Sequence, residues 1–457
     1  MEIGGSALVE IGGSASMNFA ESVEYLLSLG HETLTIKLGL RNTELLLEAL
    51  GHPERSFRSV QIAGTNGKGS TAVILDSICR EAKINVGLYT SPHFVTITER
   101  IKINGKEIKP EGFARHATSV RRTAEALVAN GTIETVPTFF EQVTAIAFLA
   151  FQEAGVELAI LETGLGGRLD STTTANAGVV GITQIAFDHQ EYLGNTLSDI
   201  AAEKAAIIHR DIRAVVVSAH QPPEALEVIM KRCADIGVNP LVSNCEVEIV
   251  EITDDGRFCV TFKTPTAVYE RLWIGMRGQH QIDNAAVAIQ LAECLRLWFN
   301  FSSQAICEGV TSARHAGRLE LIRGTPSILL DGAHNPAGAK ALREHLERFV
   351  SVPITLVFGA MRDKQLASMS ELLFPVVQKV ILTNVHNPRA ADVLTLRSLA
   401  ESHLAQSQID LANSSDEALR IALEKTPPTG LICITGSLYL LGELRPRITE
   451  LLNREVA

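Results

Sequence analysis

Long apolar runs are missing from this chain of 457 residues. The longest, residues 143–151, is flanked by Glu141, Gln142, Gln152 and Glu153 and falls far short of the roughly 20 residues a bilayer-spanning helix needs. Clustered positive charge is missing too. Lys and Arg number 41 against 52 Asp and Glu, the net charge is −11, and no dense basic stripe occurs, which excludes a nucleic-acid partner. The seven cysteines (79, 233, 245, 259, 294, 307 and 433) are scattered with no C-x-x-C pair. That pattern argues against a zinc or disulfide framework and for free thiols in a reducing compartment. The first residues carry Glu2 and Glu10 but no basic residue, so they do not read as a secretory signal. A cytoplasmic protein with no membrane partner is expected.

What is present is an alternation of short apolar strands and amphipathic helices. Residues 1–16 repeat IGGSA (3–7 and 11–15) and are Gly/Ser-rich, so they are expected to be a flexible extension, with the folded part starting near Met17. Helical spacing marks residues 19–29 and 43–50. Strands are predicted at 59–63, 86–90, 157–162, 179–184 and 213–219, with helices at 69–82, 111–129, 139–154, 196–209 and 223–237. This rhythm predicts an α/β fold with a mainly parallel sheet covered on both faces. Residues 245–253, 257–263 and 267–275 read instead as antiparallel strands with a turn at 254–256, followed by a helix over 280–297. A second αβ series begins near 317, with strands at 327–331, 354–358, 379–383 and 431–435. With 46% apolar residues the chain can bury two cores. The division is expected near 300–317, giving domains 17–300 and 301–457.

Residues 59–70, SVQIAGTNGKGS, are the densest signal. A strand, a glycine loop and a helix bring backbone N–H groups and a helix N-terminus together on a phosphate. Gly64, Gly67 and Gly69 let the backbone turn and approach an anion, Lys68 reaches the outer phosphates, and Ser70 or Thr71 offers an oxygen to Mg²⁺. The loop departs from G-x-x-x-x-G-K-[ST]: Ile62 stands where the first glycine belongs, and Gly69 separates the lysine from Ser70.

Four further segments fall at strand ends or just beyond, where open α/β sheets bind ligands. They are YTSPHF with Ser91 and His93, LETGLGGRLD with Glu162, Arg168 and Asp170, FDHQEYLGNT with Asp188 and His189, and AAEKAAIIHR with Glu203 and Lys204. A hydroxyl, a carboxylate and an imidazole there could share a Mg²⁺ completed by phosphate and water. Taken singly, His189 is more often structural and Lys204 more often a solvated helix residue. Beside the phosphate loop they form one pattern.

In this order GTNGKGS, YTSPH, TFFE (138–141), ETGLGGRLD, DHQEYLGNT, EKA, GQHQIDNAA, GRLE, DGAHNP and TGSLYL resemble the bifunctional folylpolyglutamate synthase/dihydrofolate synthase group of the Mur ligase superfamily, from about residue 17 to the C-terminus. The resemblance implies an N-terminal P-loop ATPase domain, a smaller Rossmann-like C-terminal domain and an active site between them. It implies an ATP-dependent ligase, acting as a monomer, that adds L-glutamate to dihydropteroate, to reduced folates, or to both through an acyl phosphate. Another Mur-type ligase, such as a UDP-muramyl ligase, is the alternative.

By the same resemblance Asn66, Gly67, Lys68, Gly69, Ser70, Asn284, Arg318 and Asp331 would bind the nucleotide, and Ser91, Glu162 and His189 would hold Mg²⁺. Lys204 would be carbamylated. Thr138, Phe139, Phe140, Leu169, Asp170 and Ser171 would line the folate site. His334 and Ser437 would stand at the domain interface where glutamate arrives, with Lys68, Lys204 and His334 as the catalytic set. Phe139 and Phe140 fit an apolar helix core equally well. The chain departs from the group at His315-Ala316, where Trp-Pro is usual, and at Ala206, Gln365 and Ser171-Thr172-Thr173. The last of these touches the folate pocket and bears on substrate choice.

Overall fold

Alternating apolar residues of the first αβ series divide between two opposite sheet faces. In the computed structural model, which describes residues 16–30, 39–243 and 245–456 (the last five without their side chains), Ile160 and Leu161 are neighbours on one strand. Ile160 joins a core with Val60, Ile62, Leu75 and Ile78, whereas Leu161 joins one with Tyr89, Phe148 and Phe151. The expected extension at 1–16 lies outside the described residues except for Ser16.

The first sheet has eight strands: β1 (Arg58–Ala63), β2 (Val86–Tyr89), β3 (Ile101–Ile103), β4 (Lys106–Glu107), β5 (Leu158–Glu162), β6 (Val179–Ile182), β7 (Ala214–Val217) and β8 (Leu241–Val242). Their order is β4-β3-β2-β5-β1-β6-β7-β8. From β2 to β8 the pairs are parallel, while β3 and β4 add antiparallel hairpins at one edge. Because β2, β5, β1 and β6 are adjacent, the loops that follow them emerge side by side. Register sets Ile62 of β1 opposite Glu162 of β5 and Gly181 of β6.

Strands β9 (Glu246–Ile252), β10 (Phe258–Lys263) and β11 (Val268–Trp273) form the expected antiparallel sheet. The second α/β sheet contains β12 (Glu320–Ile322), β13 (Ser327–Leu330), β14 (Ile354–Phe358), β15 (Lys379–Thr383), β16 (Ile409–Ala412) and β17 (Leu431–Thr435), in the order β12-β13-β17-β14-β15-β16. All its pairs are parallel except β12 with β13. The short strands β3, β4, β8, β12 and β16 go beyond the sequence reading; none has the long apolar run that marked the others.

The boundary region differs more. Within the division expected near 300–317, Ser303–Ser312 is a helix capped by Ser302. Its buried residues Ala305, Ile306, Gly309 and Val310 have helical spacing hidden among Ser, Gly and Thr. The helix packs on Lys68–Glu81: a side chain at Gly309 would lie 2.4 Å from Ile78 Cα, and the Ser312 and Ser77 hydroxyls are 3.0 Å apart. Packing therefore keeps this helix with the first sheet, beyond the expected break at residue 300.

Candidate active site

The loop after β1 is fastened to the end of β6. Thr65 and Asn66 both donate their N–H groups to the Gln184 carbonyl, at 2.8 and 3.2 Å. Gly67 then caps the Lys68–Glu81 helix at φ +90° with no side-chain cap, leaving the first backbone donors of that helix uncovered. Any side chain at position 67 would also meet Asn284 Oδ1 at 2.2 Å, so both φ and space demand glycine. Lys68 Nζ folds back on the loop, donating to the Gly64 and Thr65 carbonyls at 3.1 and 3.2 Å. Burial lowers its pKa against the opposing pull of Glu162 and Asp188. The buried Ser70 hydroxyl stands 3.2 Å from His315 Nδ1 and 3.5 Å from Gln281 Nε2, and Asn284 Nδ2 donates to Gln281 Oε1 at 2.9 Å.

Glu162, the last residue of β5, is 6% exposed and accepts the Ser91 N–H at 3.1 Å. Burial raises its pKa, countered first by Lys68. His93 turns away from the cleft, its Nδ1 accepting from Arg100 Nε at 2.8 Å. Asp170 spends its carboxylate on the glycine loop: Oδ2 accepts from the N–H groups of Gly164 and Leu165, and Oδ1 from the N–H and hydroxyl of Thr172. It fixes the loop that carries Leu169 and Ser171 into the cleft. The two phenylalanines separate. Phe140 lines the cleft, whereas Phe139 is 4% exposed within the apolar core, under the Arg100 guanidinium at 5.3 Å. Thr138 caps their helix, reciprocally bonded with Glu141, and Ser171 Oγ meets Thr43 Oγ1 at 3.3 Å.

The second α/β unit supplies the opposite wall. The Asp331 oxygens accept the N–H groups of Leu319 and Ala333, and Arg318 Nη1 donates to the Gly332 carbonyl at 3.3 Å. Burial raises the Asp331 pKa, with Arg318 opposing. His334 and Ser437 line the cleft, the latter accepting the Tyr439 N–H at 3.1 Å.

Both walls meet at Asp188. Oδ1 receives Lys364 Nζ at 2.6 Å and the His189 N–H at 2.9 Å, and Oδ2 receives Asn335 Nδ2 at 3.2 Å and faces His334 Nε2 at 3.4 Å. Burial opposes ionisation, but the hydrogen bond and charge of His334, together with His189 and Lys364, hold this carboxyl far below the usual range. Burial, with Lys364 and His334 against the pull of Asp188, lowers His189 to about 3. Its Nε2 lies 3.4 Å from Lys364 Nζ. Lys204 is 4% exposed, and its side-chain amine has no hydrogen bond or ion pair among the described residues. Burial first and Lys68 second lower it to about 7. Among the described residues no three His, Cys, Asp or Glu side chains gather into a metal cage, and no helix is long and apolar enough to cross a membrane.

Of the residues to which the resemblance gives a role, all but Phe139 line this one cleft, whereas the candidates His93, Arg168 and Thr71 do not. The sequence reading gave no role to Asn335, Lys364, Gln281 and His315, whose side chains lie within hydrogen-bond reach of Asn66, Asp188, Asn284 and Ser70 respectively. Asn335 carried a signal, the Asn-Pro pair that opens a helix. Lys364 and His315 carried none, since each acts only through a partner far away in the chain.

A phosphate loop at the carboxyl edge of a parallel sheet, facing a second α/β unit across a cleft with buried carboxylates and lysines, defines an ATP-dependent ligase of the Mur type. Residues 62–292 match the Mur ligase middle domain and residues 317–438 the Mur ligase glutamate ligase domain. The chain is 36% identical over 424 residues to the dihydrofolate synthase/folylpolyglutamate synthase of Bacillus subtilis, covering 90% of this chain and 95% of that one. Its fold is similar to that of Mycobacterium tuberculosis folylpolyglutamate synthase complexed with ADP, with a TM-score of 0.87, 30% identity, and 94% and 99% of the two chains covered. It is also similar to Escherichia coli FolC in complex with DHPP and ADP, with a TM-score of 0.84, 27% identity, and 96% and 99% covered. The chain belongs to the dihydrofolate synthase/folylpolyglutamate synthase family of Mur ligases.

Proposed function

We propose that this ligase adds L-glutamate to dihydropteroate and to reduced folates, activating the acceptor carboxylate as an acyl phosphate at the expense of ATP. The observation that carries the reading is the convergence of the phosphate loop and the 331–335 turn across one cleft, 3.0 Å apart at Asn66 and Asn335. Asn66, Gly67, Lys68, Gly69 and Ser70 would hold the phosphates, with Asn284, Arg318 and Asp331 around the nucleoside. Thr138, Phe140, Leu169 and Ser171 would line the folate side, positioned by Asp170. Phe139 has no part in that wall.

The donor set suits Mg²⁺, which takes hard oxygen ligands and keeps waters and phosphate oxygens rather than needing a protein cage. Glu162 offers a buried carboxylate and Ser70 and Ser91 offer hydroxyls, while the imidazole of His189 lines the same cleft. The ion would supply charge neutralisation on the transferring phosphoryl group. Lys68 does the same from the loop while the carboxylate oxygen attacks the γ-phosphorus in line. The neutral amine of glutamate then adds to the acyl carbon, and phosphate leaves from the tetrahedral intermediate. His334 and Ser437 stand where the amine must approach. Water competes for the acyl phosphate, so the cleft has to be closed before the first step.

Lys204 carries a carbamate in this reading. No carboxylate among the described residues pairs directly with this amine, and a pKa of about 7, lowered by burial and Lys68 against the pull of Asp188 and Asp170, supplies the neutral amine that CO₂ requires. The enzyme is taken as a cytoplasmic monomer of two domains, divided after the Ser303–Ser312 helix. Phosphate release with ATP, Mg²⁺ and L-glutamate, offering dihydropteroate, tetrahydrofolate and a UDP-muramyl substrate in turn, tests the proposal. Turnover with both pterins is expected. Extension of tetrahydrofolate alone reduces the activity to that of a folylpolyglutamate synthase, and turnover of the muramyl substrate overturns the reading.

A further inference from the structure

We propose that Asn335 is a positioning residue that ties the second domain onto the phosphate loop, so that nucleotide donors are ordered only when the cleft is closed. Its side chain is 2% exposed and fully used. Oδ1 accepts the Gly338 N–H at 2.8 Å, capping the Pro336–Phe349 helix. Nδ2 donates across the cleft twice, to Asn66 Oδ1 at 3.0 Å and to Asp188 Oδ2 at 3.2 Å. The Asn66 carboxamide is thereby oriented, because the reverse placement would set one NH₂ against another. Its Nδ2 is left buried with no partner among the described residues. An unpaired buried donor is costly, and this one sits in the glycine loop beside Lys68, where a phosphate oxygen would satisfy it.

Separating the domains removes the Asn335 donor from both Asn66 and Asp188 at once. The loop amide is then free to rotate, and Asp188 loses Asn335, Lys364 and His334 together. With the tie intact, the glutamate side of the cleft is seated before the acyl phosphate forms. Without it, water reaches the acyl carbon, the bond to phosphate breaks, and the starting carboxylate and inorganic phosphate return with ATP consumed. This consequence rests on the acyl-phosphate reading above; the tie itself does not.

Asn335→Ser separates the two roles of this side chain, since serine still caps the helix but cannot donate across the cleft. Expected are an unchanged melting temperature, a ligation rate lowered about tenfold as for a lost hydrogen bond to charged or loop groups, and a severalfold rise in phosphate released per amide formed. Asn335→Asp, which also caps but sets a carboxylate against Asp188, should lose more. Asn66→Ala should raise the same ratio and add little on top of Asn335→Ser. Amide exchange over residues 64–70 with ADP bound should be faster in Asn335→Ser than in wild type. A folded Asn335→Ser with wild-type stoichiometry and wild-type loop exchange overturns the proposal. Should the wild-type enzyme show no glutamate-dependent phosphate release, the functional reading fails, and loop exchange alone still decides the tie.

Discussion

Two strand–loop–helix turns face each other across the cleft and differ in how their helices begin. After β1, Gly67 precedes the Lys68–Glu81 helix with φ +90° and no side-chain cap. After β13, Asn335 caps the Pro336–Phe349 helix with its own carboxamide, and Pro336 removes a donor at the first helical position. Both helices run 14 residues, and both follow a largely buried strand with at least one parallel neighbour. The first turn leaves its N–H groups and its lysine for an anion; the second caps itself and lends one spare N–H bond to Asn66 of the first and another to Asp188. A βα turn becomes a phosphate site when its cap is left vacant, not merely because it sits at a sheet edge.

The sharpest way to break this contrast is Lys68→Ala. It should cut ligation by ~10²–10³-fold, the usual cost of a lost charge-stabilising donor, with the fold unaltered in thermal unfolding. Near-normal turnover at saturating ATP would mean that the open turn is not the phosphate site.

Lys204→Ala tests the neighbour that the open turn depends on and should be nearly inactive, with partial recovery by added short carboxylates. Activation of the wild type by CO₂ should also grow from pH 6 to pH 8, because a lysine near 7 is mostly protonated below that value and neutral above it. Activity indifferent to CO₂ across that range argues for a bare amine.

Paired glycine substitutions sharpen the comparison. Gly67→Ala forces a side chain into φ +90° and against Asn284 Oδ1, and should cost about 1–3 kcal/mol together with nucleotide affinity. Gly338→Ala, in the first turn of the capped helix, meets its neighbours at 3.3–3.4 Å. Its helix-propensity gain of about 0.5–1 kcal/mol should leave stability nearly unchanged. Equal losses in chemical unfolding would erase the distinction between the turns.

The smallest effect concerns pH. His345, on the capped helix, is buried against Phe349, with Nδ1 unpartnered among the described residues. Burial first, then Arg277, lowers it to about 4. The unfolded chain therefore binds a proton that the folded one refuses between roughly pH 6.5 and 4. Its stabilising contribution is complete above that window and declines as pH falls through it. The loss should be about 1 kcal/mol between pH 6.5 and 5.5. Urea unfolding at pH 7 and pH 5 should show a smaller difference for His345→Gln than for wild type.

Much of this molecule was legible in its residues, and the legible parts share a cause. The β1 strand, the glycine loop and the Lys68–Glu81 helix are set by local spacing and by the φ that glycine allows, so residues 58–81 announced themselves. The attachment of residues 303–312 was not legible, because the close approach of Gly309 to Ile78 that seats this helix on the first sheet is a contact between distant segments. Phe139 and Phe140 are adjacent in one apolar helix, and only the packing decided that the first enters the core under Arg100 while the second faces the cleft. Lys204 reads as an ordinary helix lysine until burial lowers its pKa. Asp188 reads as half of an Asp-His pair until Asn335 and Lys364 arrive from the second sheet. The sequence by itself determined the kinds of element and the phosphate loop, because their geometry is encoded within a few residues. The tertiary structure alone decided which of those groups share a site, because the strand order β2-β5-β1-β6 and the seating of the second unit bring distant residues within hydrogen-bond reach and strip them of water.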